Sequence, residues 1–328
     1  VLVRWGALHR SRQRVARTRT QSWAALAPLR MSEGELRREM ALRSDEPAET
    51  EVDHTELRFF TGGGAWLVLA GVVVSVLVFT PLLAWTTLGG GALLPLNHTV
   101  AGLWAEAAYG IRHAGLGTIG AADPFAAVVA LIGTFTWWAP SQAMVVLWVL
   151  ALPLALLGGW FAATRVTDRA GLRIIAAIAW ALAPTFLLSL QQGRPTGVIV
   201  HLLLPWLFAV GAVAFRSWGA AGAASLLLIA VLACAPVLAL PLAVLWIVAI
   251  VLGRRGIARL LWLPVPALVV FAPLIWQRGF VEARWWGLLA DPGAVWAGPR
   301  AGVDASARAA VAAGFADGGD PGWSAMIA

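Results

Sequence analysis

The polarity of this 328-residue chain changes near residue 60. Residues 1–58 are polar and carry 11 Arg. From Trp66 onward apolar runs dominate: 66–88, 143–163, 172–190, 198–215, 219–252 and 260–276. About 20 apolar residues in a helix cross the ~30 Å hydrocarbon layer of a bilayer. Spans of that length are helical, because a helix satisfies its own backbone polar groups where water is absent. The 34 residues 219–252 are too long for one crossing, since a single helix would reach ~51 Å. Pro236 and Pro241 interrupt them, which predicts two helices joined near Ala235-Pro236. Residues 125–138 are apolar but end before Pro140, so they read as a surface or re-entrant helix rather than a span.

Composition agrees with that pattern. Hydrophobic residues make up 60% of the chain and charged residues 12%, about half the charged share of a soluble globular protein. Disordered, collagen-like and disulfide-rich classes are excluded. Cys234 is the single cysteine, so an intrachain disulfide is impossible and no zinc or redox motif can form around it. All 24 basic residues are Arg, and the net charge is +7.

Such a basic balance raises nucleic-acid binding, and the positions of the Arg residues argue against it. Arg4, Arg10, Arg12, Arg14, Arg17 and Arg19 precede the first apolar run; Arg165, Arg169, Arg173, Arg216, Arg254, Arg255 and Arg259 lie in or beside short loops. Basic short loops stay on the cytosolic side of a membrane. If 125–138 does not cross and 219–252 crosses twice, all these loops fall on one side. The expected fold class is therefore all-α, a polytopic transmembrane helical bundle of about seven spans. A juxtamembrane helix sits in the first outer loop.

The expected layout is a cytosolic basic linker over 1–60, a bundle over 61–276 with an outer loop at 89–142, and an extracytoplasmic tail over 277–328, cut short in a piece of a longer protein. In the linker, Ser32 and Glu35 form a capping box that starts a short helix. Its basic half would touch anionic headgroups. The expected location is the plasma membrane, multi-pass, with the N-terminus cytoplasmic and the tail outside.

Candidate chemistry lies in the outer segments. The first outer loop holds Asn97, His98, Glu106, Tyr109, Arg112, His113 and Asp123. Asp123 before Pro124 is a good helix N-cap with Pro at N1. A carboxylate there could also deprotonate an acceptor hydroxyl, making Asp123 the candidate catalytic base with Glu106 as a second acid. Glu106 and His113 are seven residues apart and would share a face of one helix. The second outer loop offers Gln191, Gln192 and Arg194, with His201 a turn or so further on. An Arg at the outer surface suits a phosphate, through paired N–H donors. The alternative for Arg194 is a snorkelling side chain at a helix end; for His201, a bond to a helix carbonyl. P-loop, GxGxxG, HExxH and CxxC motifs are absent from the sequence. With no clustered carboxylates, no tight metal site is expected. The sequence names no cofactor.

The order of several short motifs adds a resemblance. Trp137-Trp138-Ala139-Pro140-Ser141 is followed by 151–160 (ALPLALLGGW) and by Ala179-Trp180-Ala181-Leu182-Ala183-Pro184. Gly193-Arg194-Pro195, His201-Leu202-Leu203-Leu204-Pro205-Trp206, Arg216-Ser217-Trp218 and Leu288-Leu289-Ala290-Asp291-Pro292-Gly293 follow. The series resembles the membrane region of large actinobacterial glycosyltransferases that carry a family 2 catalytic domain upstream. The deduced layout is also similar to C-type integral-membrane glycosyltransferases, which use polyprenyl-phosphate sugars. That resemblance implies transfer in envelope glycan assembly, with Asp123 as base and Arg194 as donor-phosphate ligand. It also implies a lipid-linked sugar donor and a glycan acceptor as partners, beside the bilayer itself; nucleic acid is not expected. The alternative is a non-catalytic anchor or export path for an upstream domain. A transporter is disfavoured, because its buried polar ligands near the midplane are few here.

Overall fold

The computed structural model describes residues 59–89, 93, 95–113, 119–252 and 256–292. The basic linker, its Ser32–Glu35 capping box and most of the expected tail lie outside the described residues. Within them the chain is helical apart from one small hairpin and an isolated bridge residue at Leu93. The α-helices are α1 (Gly64–Val78), α2 (Val100–Glu106), α3 (Pro124–Thr134), α4 (Gln142–Ala163), α5 (Ala170–Ala181), α6 (Pro184–Gln191), α7 (Pro195–Gly211), α8 (Trp218–Cys234), α9 (Ala239–Leu252), α10 (Ile257–Trp262) and α11 (Val265–Ile275). Strands β1 (Ile111–His113) and β2 (Ile119–Ala121) pair antiparallel between α2 and α3.

Three helical stretches are long and apolar enough to cross a membrane: Gln142–Ala163, Ala170–Gln191 and Ile257–Val281. The last runs through α10 and α11 into a π-helical turn at Trp276–Val281. Shorter apolar helices accompany them. The run expected at 66–88 ends sooner than its composition implies. α1 stops at Val78 and a 3₁₀ turn, Thr80–Ala84, follows, because Pro81 cannot continue the helical ladder. The break expected within 219–252 is where the sequence put it. α8 ends at Cys234, and Pro236–Leu238 forms a 3₁₀ turn before α9.

Helix α4 is the centre of the larger core, packed by α1, α5 and α7. Small residues let the backbones approach, as in membrane bundles generally. A Cβ on Gly159 would lie 2.9 Å from the Ala177 Cα of α5. A Cβ on Gly71 of α1 would run into the Leu156 side chain of α4.

Proline explains many of the polar contacts between helices. A proline in a helix removes the donor that the carbonyl four residues earlier would use. In an apolar setting that orphan carbonyl costs several kcal/mol unless another donor reaches it. Five such carbonyls are each met by a distant side chain, two of them, Trp180 O and Leu260 O, beside a backbone N–H nearer in sequence, from Ala183 and Leu263. Ser75 Oγ donates to Val149 O, orphaned by Pro153. His201 Nε2 lies 2.9 Å from Trp180 O, orphaned by Pro184, so that nitrogen carries the proton. Trp180 Nε1 donates to His201 O at 3.2 Å, orphaned by Pro205. Trp246 Nε1 donates to Leu260 O at 2.7 Å, ahead of Pro264. Tyr109 Oη donates to Val269 O at 2.9 Å, ahead of Pro273, and so ties the loop after α2 to α11.

Candidate functional site

Two ends of the bundle can be told apart by where the charges lie along α7 and α8. Near the end of α7, Arg165 Nε donates to Ala209 O at 3.1 Å. At the start of α8, Arg259 donates to Phe215 O and Arg216 O at 2.8 and 2.7 Å and stands over the Trp218 ring. Arg173, buried in the first turn of α5, reaches back to the loop after α4, donating to Thr167 O at 2.8 Å and pairing with Asp168 at 3.4 Å. These guanidiniums satisfy backbone carbonyls at helix ends.

The other ends of the same helices hold a different set. Arg194 is the N-cap residue of α7, and Cys234 is the last residue of α8. At 1.5 Å per residue, Arg194 is about 22 Å from Ala209 along α7, and Cys234 about 24 Å from Trp218 along α8. Asp123 and Asp291 both lie within electrostatic range of Cys234, and Arg194 within range of Asp291. Three charged side chains from segments up to 168 positions apart (Asp123 to Asp291) are thus gathered at one end of α7 and α8.

Local structure positions each of them. Asp123 Oδ1 accepts from Phe125 N–H at 2.9 Å, and Pro124 occupies N1, so the carboxylate caps α3 as its sequence predicts. Phe125, Val128 and Ile132 turn one face of α3 onto Ile199, Val200 and Cys234 of the bundle. Arg194 is held between two helix ends. Gly193 adopts φ 61°, and Arg194 N–H donates to Ser189 O at 2.9 Å, a Schellman closure of α6. Pro195 then starts α7. Asp291 follows a 3₁₀ turn, Trp285–Leu289, that packs on the Pro236–Leu238 break. The Asp291 residue is exposed, yet partial withdrawal of its carboxyl from water raises it above the usual carboxylate range. The Arg194 guanidinium opposes that rise.

The remaining candidates are scattered by role. Gln191 is exposed at the end of α6. Gln192 is the α6 C-cap, and its Oε1 is buried with no hydrogen-bond partner among the described residues. His201 is buried inside α7, its ring stacked between Trp180 and Phe186 at centroid distances of 4.2 and 4.3 Å. With Nε2 on the Trp180 carbonyl, it holds the α5–α6 kink. Glu106 and His113 do not share a helix. Glu106 ends α2, Gly110 turns the chain at φ 109°, and His113 lies on β1. A left-handed glycine so soon after Glu106 stops the helical repeat that the spacing assumed.

Glu106 lines a cavity of about 470 Å³, with Pro95, Leu96, Asn97, His98 and Leu103 on one side and Ala126 and Val129 of α3 on the other. Asn97 organises its rim. Its Nδ2 donates to Glu106 Oε1 at 3.0 Å, and its Oδ1 accepts from Thr99 N–H at 3.2 Å. Ala126 is three residues beyond Asp123, so the cavity opens about one helical turn from the carboxylate that caps α3. Among the described residues no group of His, Cys, Asp and Glu is arranged to hold a metal ion.

Asp291 is the charged residue of this end that sequence reasoning left without a role. Its Asp-Pro-Gly context reads as a turn, and nothing in the sequence links it to Asp123 or Arg194. No family model, no curated protein and no solved structure matches this chain.

Proposed function

We propose that the protein is the membrane module of a glycosyltransferase acting on a polyprenyl-phosphate-linked sugar at the outer face of the plasma membrane, in envelope glycan assembly. The observation that carries this reading is the convergence of Asp123, Asp291 and Arg194 at the end of α7 and α8 remote from the basic loops. Under the positive-inside rule that end is extracytoplasmic. The bundle then crosses seven times, with α1, α4, the α5–α6 pair, α7, α8, α9 and the α10–α11 pair as spans.

In the proposed reaction an acceptor hydroxyl oxygen attacks the anomeric carbon of the donor. The new C–O bond forms as the bond from that carbon to the phosphate oxygen breaks. Asp123 takes the hydroxyl proton. The departing polyprenyl phosphate carries the displaced electron pair, and Arg194 offers it charge-assisted hydrogen bonds.

The test is sugar transfer from a polyprenyl-phosphate donor by the protein in membranes. Asp123→Asn keeps the N-cap, because Asn caps as well as Asp, and removes only the base. Its rate is expected to fall 10²–10⁴-fold, with Arg194→Ala also impaired. Wild-type transfer in both variants would overturn the assignment. One observation favours a second reading, a non-catalytic anchor or export path: Asp123 already caps α3 through Oδ1. Under that reading both variants leave transfer by an upstream domain unchanged.

A further inference from the structure

The cavity between α2 and α3 is separate in its chemistry from the charged cluster. We infer that it is a carbohydrate-binding site, and that in the proposed transfer reaction it holds the glycan acceptor. This identification of the occupant as acceptor rests on the glycosyltransferase reading, whereas the binding chemistry stands by itself.

A volume of about 470 Å³ lies in the range of small-ligand sites and admits one or two sugar rings. The lining is divided as a sugar ring is divided. Pro95, Leu96, Leu103, Ala126 and Val129 form an apolar wall for ring C–H faces. Asn97, His98 and Glu106 supply amide, imidazole and carboxylate groups to which hydroxyls both donate and accept. Among the described residues no Arg lines the cavity, and a neutral polyol fits this lining best.

The frame is built to hold its shape. Thr99 Oγ1 caps α2 by accepting from Gly102 N–H at 3.1 Å, and Asn97 bridges that turn to Glu106 at the far end of the helix. Trp104 Nε1 donates to Thr134 Oγ1 at 3.1 Å, and Ser141 Oγ donates to Leu96 O at 3.3 Å. Leu103 packs against Gly133, where a Cβ would meet its Cδ1. The two walls are therefore locked together without filling the space between them. A rigid rim limits the ordering cost of binding.

The location adds to the argument. The α3 wall turns Ala126 and Val129 to the cavity, while Phe125 and Val128 face the bundle. Asp123 stands at the N-terminal end shared by both faces. The cavity wall at Ala126 thus begins within one turn of α3 of the Asp123 carboxylate.

The experiment is ligand-observed NMR with the protein in nanodiscs, using neutral methyl glycosides of a hexopyranose and a pentofuranose as probes. Wild type is expected to show saturable contacts to at least one glycoside. His98→Ala and Glu106→Gln should weaken binding at least tenfold. Val129→Trp should abolish it by filling the space, and Arg259→Gln, at the other end of the bundle, should bind as wild type does. Helical content by circular dichroism checks that each variant is folded. Absence of saturable binding to wild type, or undiminished binding in folded Val129→Trp, overturns the inference. If the cavity variants lose binding while Asp123→Asn and Arg194→Ala transfer normally, the carbohydrate site stands and the proposed catalytic assignment fails.

Discussion

The two ends of α7 and α8 use charged residues in different ways. At the end where α7 finishes and α8 starts, guanidiniums are absorbed by the backbone. Arg165 takes the Ala209 carbonyl and Arg259 takes those of Phe215 and Arg216. A helix C-terminus leaves carbonyls without donors, and Arg supplies several donors from one side chain. At the opposite end Asp123 and Asp291 both lie within electrostatic range of the Cys234 terminus of α8, and Arg194 acts on Asp291. Arg therefore has two meanings in this chain. In the short basic loops it finishes helices, whereas at position 194 it acts on Asp291, a carboxyl brought from far away in sequence.

The largest expected effect separates these meanings. Asp123→Asn should lower sugar transfer 10²–10⁴-fold, while Arg259→Gln at the other end leaves the transfer rate intact. Arg259→Gln should instead cost about 1–2 kcal/mol of stability through its lost carbonyl bonds. Denaturant unfolding in mixed micelles checks that figure. An equal loss of transfer in both variants would erase the distinction between the ends.

Topology offers a sharper version. In a Cys234→Ala background, Ala108→Cys and Asp168→Cys should react with a membrane-impermeant thiol reagent from opposite sides of a sealed vesicle. Labelling from the same side would break the seven-crossing arrangement.

Smaller effects concern the proline-orphaned carbonyls. Trp246→Phe leaves Leu260 O without its side-chain donor and should lower stability by about 1 kcal/mol. Tyr109→Phe should cost about 0.6 kcal/mol, the average for interhelical hydrogen bonds in membranes. It should also raise hydrogen exchange in the loop after α2, which that bond ties to α11.

The smallest effect is electrostatic. Burial raises the Asp291 carboxyl and Arg194 lowers it, so Arg194→Gln should move its titration to higher pH. A carboxyl with a raised folded-state value loses its proton first in the unfolded chain, so stability declines as pH climbs through that window. The Arg194→Gln decline should extend to higher pH than in wild type. A downward movement, followed by infrared carboxyl absorption, would contradict the geometry around Asp291.

Much of the helical layout was legible in the sequence because apolar run length and proline position act locally. The break after Cys234 followed from the length of 219–252 and from Pro236. The Asp123 cap followed from Asp-Pro spacing. The helix shared by Glu106 and His113 failed for an equally local reason, a left-handed turn at Gly110 and a hairpin that no apolar periodicity announces. The role of His201 was narrowed by packing. Its place within an apolar run invited a ligand, and the structure sets it on the Trp180 carbonyl, whose i+4 donor Pro184 removes.

Sequence by itself therefore determined that the chain is helical and apolar, that the 219–252 run breaks near Pro236, and that Asp123 caps α3. Run length, proline and capping chemistry act within a few residues of the chain. Only the tertiary structure decided which distant donor meets each orphan carbonyl, that Asp291 joins Asp123 and Arg194, and that a polar-rimmed cavity opens beside α3. Those relations join residues up to 168 positions apart, and packing between helices, not periodicity along one of them, brings them together.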